Sequence, residues 1–211
     1  MNLAMDLQAL SAACQPADDY VRRVLSAYVR KAPITKGPDR LSQWDRIHRT
    51  IAVHGLEGVF HYALNGVTPA PPPEMWHLWQ KRSMAVLFDN LRSLRTAADL
   101  FALLDNHSIK AVAMRGLTLA HKDYASAGMR SMGDIDILID PEDCQRFLDV
   151  VGRAGMAPQK VLRSQYVLRI DSVLFEIHWS FLTAKRYRDL LGSEQLLSSR
   201  RPHTTQDGEI Y

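Results

Sequence analysis

Gly133-Asp134-Ile135-Asp136-Ile137-Leu138-Ile139 is the stretch on which the reading of this chain turns. Charged and apolar residues alternate here with a period of two, the mark of a β-strand with one face in a core. In such a strand Asp134 and Asp136 point to one side, and Ile135, Ile137 and Ile139 to the other. Two carboxylates held this close repel each other and are costly to desolvate unpaired. A divalent cation resolves that conflict. Mg²⁺ is hard, takes oxygen ligands, and usually binds through one or two carboxylates plus substrate phosphates. Asp-x-Asp pairs also occur at solvated strand ends, so the neighbours decide between the two.

Upstream, the apolar run Ile109 to Met114 predicts a strand, followed by Arg115-Gly116 and a helix from Leu117 to about Tyr124. Gly116 permits a tight turn and close backbone approach, and the N-terminus of the following helix offers free N–H groups to a phosphate. Arg115 can add a bidentate contact, and Arg130, four residues before Asp134, can reach the same phosphates. Downstream, Pro141 to Gly155 reads as a helix, with proline near its start and glycine just past its end. Val161 to Ile170 and Val173 to Trp179 read as a hairpin joined by Asp171-Ser172. The second of these carries Phe175-Glu176-Ile177-His178-Trp179, where Glu176 interrupts an apolar alternation. Should that strand lie beside the one bearing Asp134 and Asp136, a third carboxylate joins them, to bind a second metal or act as a general base. His178 shares its face; a lone histidine there is more often a satisfied structural residue.

Taken together, Val112-Ala113-Met114-Arg115-Gly116-Leu117, Leu119-Ala120, Tyr124, Arg130-Ser131-Met132-Gly133-Asp134-Ile135-Asp136-Ile137-Leu138 and the Glu176-Ile177-His178-Trp179 string resemble a nucleotidyltransferase family of the DNA polymerase β superfamily. Trp44-Asp45, His54-Gly55 and the helix containing Asn90 are similar to that family's N-terminal region, so the resemblance runs from about Leu41 to Phe181. It implies an α+β fold with a small mixed sheet, two Mg²⁺ ions, and an NTP, with ATP the expected donor, attacked at its α-phosphate by a small-molecule or protein hydroxyl. Asp134 and Asp136 would be the metal pair and Glu176 the third carboxylate. Arg115, Gly116, Arg130 and Gly133 would serve the nucleotide, Gly116 beneath the triphosphate. Two departures stand out: the family has Lys where this chain has Arg115, which is not a neutral exchange at a phosphate, and Gly208-Glu209-Ile210-Tyr211 reads as a strand interrupted at a shortened C-terminus. Both motivate an alternative, a nucleotide- or partner-binding module of the same fold that has lost turnover.

The first half is helical in pattern. Leu3, Met5, Leu7, Leu10 and Ala13 mark one amphipathic helix, and Asp18-Asp19 open a second carrying Val21, Val24, Leu25 and Tyr28. A loop with Pro33, Gly37 and Pro38 follows, then helices over Leu41 to Val53 and Glu57 to Leu64. A long helix from Glu74 to Asp105 has Trp76, Trp79, Met84, Leu87, Leu91 and Leu94 as its stripe. The expected organisation is a helical region 1–106, a catalytic core 107–183 and a polar tail 184–211.

Composition narrows the function classes. Twenty-six basic against twenty-three acidic residues leave a formal charge of only +3, with no dense basic stripe, which argues against a nucleic-acid partner. No run approaches the roughly 18 apolar residues that span a bilayer, the N-terminus has no positive leader, and two distant cysteines suggest neither a disulfide framework nor a zinc site. A reducing cytoplasm is the expected setting. The sequence names neither the acceptor nor an oligomeric state.

Overall fold

The alternation at 135–139 forms a strand, β2 (Ile135–Ile139), with the predicted bounds. In the computed structural model, residues 3–114, 116–180 and 193–211 are described, with side chains at all of these but 3–15, 121 and 193. The sheet around β2 has five strands in the order β1 (Ala111–Met114), β2, β5 (Val173–His178), β4 (Gln165–Ile170), β3 (Lys160–Val161). Only β2 and β5 run parallel; the other neighbours are antiparallel, so the sheet is mixed as expected.

Local chemistry explains the elements. Asp171 and Ser172 both adopt positive φ (47° and 70°), as a two-residue hairpin turn of the primed type requires, and this places Ile170 opposite Val173. α6 (Cys144–Arg153) ends at Gly155, whose φ of 78° lets its N–H reach the Gly152 carbonyl while the Met156 N–H reaches that of Val151. That is a glycine-terminated Schellman closure. One face of the sheet and α6 share a core: Ile135, Ile137 and Ile139 pack with Phe175, Ile177, Phe147 and Val150, all 1% exposed or less.

The predicted strand from Val161 to Ile170 is instead two strands. Leu162 N–H closes onto the Gln165 carbonyl, turning the chain between β3 and β4. Apolar residues at both ends of this segment hid the turn. The end of the chain is also more ordered than its polarity suggested. α7 (Ser193–Ser198) leads to a hairpin of β6 (His203–Thr205) and β7 (Gly208–Ile210). Ile210 joins the core, the Tyr211 carbonyl accepts the Ala113 N–H, and Arg200 stacks 4.2 Å over the Tyr211 ring while pairing with Asp105 at 3.1 Å.

The chain divides into two units, and the boundary falls inside the long helix α4 (Pro73–Asn106). One unit holds Met1–Phe88 with Ser126–Ser131; the other holds Asp89–Ala125 and Met132–Tyr211, including the sheet. In the first unit α1 runs unbroken from Leu3 to Val29 with Pro16 inside it, where two helices were expected. Proline removes a single donor there, and the buried residues Ala17, Tyr20, Val21 and Val24 fix the helix beyond it. Asp18 is therefore not a helix start. It accepts a hydrogen bond from Thr50 (3.4 Å) and lies 3.7 Å from Arg46, both on α2 (Trp44–Val53). Trp44 and Trp79 are wholly buried and meet edge-on, and the Trp79 indole N–H donates to His48 Nδ1 at 3.0 Å. Met84, expected in the stripe, is 45% exposed; Val86 takes the buried position.

His61, at the end of α3 (Glu57–Ala63), lies 4.5 Å from the Trp76 ring, and burial lowers its pKa. The unfolded imidazole titrates near about 6.5, so below that pH the unfolded chain binds the extra proton. Stability from this group is therefore full above about pH 6.5 and declines as pH falls through the window between the two values. Denaturant midpoints measured from pH 5 to 8 are expected to fall on the acid side, and His61→Gln to flatten that slope. An unchanged slope would rule His61 out as its source.

Candidate active site

Parallel pairing of β2 with β5 sets Asp136 directly opposite Glu176, with Leu138 opposite His178. Because side chains alternate, Asp136, Glu176 and His178 occupy the face turned away from the isoleucine core. Asp136 and His178 are each 7% exposed and Glu176 is partly buried. His178 Nε2 lies 2.9 Å from Asp136 Oδ1 and 3.6 Å from Glu176 Oε2. One donor atom from each of the three falls within 4.8 Å of the others.

This donor set fits a divalent cation. Ligands at about 2.0–2.1 Å from an octahedral ion stand roughly 3–4 Å apart, so small side-chain movements suffice to converge them. The two carboxylates are the hard oxygen donors that Mg²⁺ favours. The hydrogen bond from His178 to Asp136 suits the histidine to orienting a ligand, a common arrangement around metals.

Asp134 stands outside that cluster. It is exposed, just ahead of β2, and with Gly133 it lines a separate cavity of about 150 Å³. Asp89, Arg92 and Ser93 of α4 and Ser172 of the hairpin turn complete the polar part of its wall. A Cβ added at Gly133 would meet nothing within 4 Å. Gly116 is the first residue of α5 (Gly116–Lys122), two residues past the end of β1, and a Cβ there would meet the Met132 side chain at 3.8 Å. Arg130 is half-buried and belongs to the other unit, with Ser126–Ser131. Arg115 lies outside the described residues. Beyond the expected residues, the fold brings His178 to the carboxylates and Arg92 to the cavity wall. His178 shares a face with Glu176 by its spacing of two, and only the pairing of β2 with β5 brings it to Asp136. Arg92 gave no signal, since an Asp89/Arg92 spacing of three on a helix reads as an ordinary surface pair.

A family profile described as "Uncharacterised nucleotidyltransferase" matches residues 41–211. Among curated proteins, none matches the chain. A solved structure similar to part of it is the solution structure of the antibiotic-resistance factor ANT(2'')-Ia, at 16% identity and a TM-score of 0.36, covering 42% of this chain. The chain spans about half (48%) of the length of that protein. Among the described residues, no helix is long and apolar enough to cross a membrane.

Proposed function

This chain belongs to the family described as uncharacterised nucleotidyltransferases, and from that premise we propose that it moves a nucleoside monophosphate from MgATP to the hydroxyl of a small molecule or a protein side chain. The observation that carries this reading is the facing pair Asp136 and Glu176 on adjacent parallel strands, with His178 hydrogen-bonded to the aspartate. Two carboxylates facing each other across adjacent strands repel, and with His178 they form a donor set suited to a divalent cation.

In this reading Asp136 and Glu176 hold the cation, Asp134 supplies a further oxygen from the cavity side, and His178 fixes the Asp136 carboxylate. A bound Mg²⁺ neutralises charge on the phosphates and favours in-line displacement. Gly116 and Gly133 leave room for phosphate oxygens against the backbone, with Arg115 as a further phosphate contact. The acceptor oxygen bonds to the α-phosphorus as the bond to pyrophosphate breaks, and the hydroxyl proton passes to the Glu176 carboxylate.

The direct test is incubation of the protein with Mg²⁺, α-labelled ATP and a pool of small hydroxyl compounds, or the protein alone as acceptor. Label transferred with pyrophosphate release is the expected result, reduced about 10²-fold or more in Glu176→Gln. Transfer that survives that substitution would remove Glu176 from the reaction. His178→Gln retains a hydrogen-bond donor but loses the ring's reach. It is expected to weaken Mn²⁺ affinity by about 10-fold, as loss of an orienting partner does, without unfolding the protein. Unaltered Mn²⁺ affinity in that variant would leave His178 a purely structural residue.

A further inference from the structure

We propose that Arg92 binds the polyphosphate of the incoming nucleotide, in the cavity that Arg92 shares with Asp134. This rests on the nucleotidyltransferase reading above and names a contact beyond the carboxylate cluster.

Arg92, Asp89 and Ser93 stand three and four residues apart on α4, so they present one side of the helix to the cavity. At about 150 Å³ the cavity falls short of the roughly 300–1,000 Å³ that houses a whole drug-sized ligand. It admits one polar group of a larger molecule. Its polar lining residues are Arg92, Ser93, Ser172, Asp89 and Asp134, beside the open backbone at Gly133. Such a mixture of donors with an acidic partner suits an anion that arrives with its own cation.

The state of Arg92 supports this. Its Nη2 donates to Asp89 Oδ1 at 2.7 Å, and both side chains are more than half exposed. Among the described residues the rest of the guanidinium has no protein partner. An exposed ion pair of this kind is weak. A phosphate accepting two parallel N–H bonds from the same fork binds more strongly. Exchange of Asp89 for phosphate is therefore favourable. Asp134 decides which phosphates enter. Two carboxylates against one guanidinium repel a bare polyphosphate and suit one that arrives with its own divalent cation. Arg92 therefore serves the metal-bound nucleotide and not free ATP.

The proposal is tested by calorimetric titration of MgATP, magnesium tripolyphosphate and AMP into the full chain and its Arg92→Gln and Asp89→Asn variants, with Mn²⁺ binding followed separately by electron paramagnetic resonance. Arg92→Gln is expected to weaken MgATP and magnesium tripolyphosphate alike by about 10- to 100-fold, the scale of a charge-assisted fork. AMP and Mn²⁺ alone should bind as in the wild type. Asp89→Asn should tighten MgATP by about two- to fivefold, because the competitor for Arg92 has lost its charge. Wild-type affinity for MgATP in Arg92→Gln overturns the assignment and leaves the cavity to the acceptor. Loss of Mn²⁺ binding in the same variant also overturns it, because the effect would then be general damage. A wild-type protein that fails to bind MgATP removes the nucleotide reading itself, and this contact with it.

Discussion

Asp136→Asn is expected to abolish detectable Mn²⁺ binding and to lower nucleotidyl transfer by about 10³-fold or more, while leaving the fold in place. The size of the effect follows from where Asp136 sits. Its carboxylate is 7% exposed, faces Glu176 across a parallel strand pair, and takes a 2.9 Å hydrogen bond from His178. Replacing one oxygen with an amide keeps the volume and much of the hydrogen bonding, so packing changes little. It removes the charge, and a hard cation holds amide oxygen far more weakly than carboxylate. The substitution also removes one of two repelling carboxylates, so thermal stability without metal should rise or stay level. The measurement is paired: Mn²⁺ titration by electron paramagnetic resonance beside thermal unfolding with and without saturating metal. Wild-type protein should gain melting temperature on adding metal, and Asp136→Asn should not. A variant that still gains it would place the cation elsewhere, with the cavity residue Asp134 the first place to look.

How much of this was legible without coordinates differs from element to element. Strand β2 was legible residue for residue because Asp134 and Asp136 alternate with isoleucines and polar residues flank it. The turn at Asp171-Ser172 and the stop at Gly155 were found because each needs backbone angles that few residues accept cheaply. Pairing across strands is different in kind. Sequence parity says which residues of one strand share a face, but register between β2 and β5 is set by the packing of Ile135, Ile137, Phe175 and Ile177. The contact of Asp136 with Glu176 and His178 is a consequence of that register, and Asp134 falls outside the same cluster although its spacing is equally suggestive. Arg92 was hidden for another reason. It comes from a helix some forty residues upstream, and only the fold brings Asp89, Arg92 and Ser93 to the rim of Gly133 and Asp134. The boundary between units was hidden as well, because α4 continues its helical pattern straight through Phe88 and Asp89.

Gly58→Ala is expected to destabilise the helical unit by about 3 kcal/mol or more. Gly58 lies in α3 and is buried. A Cβ built there would stand 2.3 Å from the Gly128 carbonyl oxygen and 2.8 Å from the Met129 Cα. Both are backbone atoms, so no rotamer change relieves the clash; the 3₁₀ turn Ala127–Met129 would have to move. That turn is pinned from its other side. Gly128 in turn would place a Cβ 2.6 Å from the Ser83 carbonyl, the Ser83 hydroxyl donates to the Gly128 carbonyl at 3.2 Å, and the Ser126 hydroxyl accepts the Gly128 N–H at 3.2 Å. Three backbone segments are stacked with glycine at both contacts, and a methyl group in either layer forces them apart. Gly152→Ala supplies the opposite sign. Gly152 is exposed in α6 with nothing within 4 Å of its added Cβ, so alanine there should stabilise by about 0.5 kcal/mol through backbone entropy alone. Urea unfolding of both variants and the wild type reads the contrast. A Gly58→Ala midpoint within error of wild type would mean that the turn at Gly128 yields freely, and that the close stacking does not hold the helical unit together.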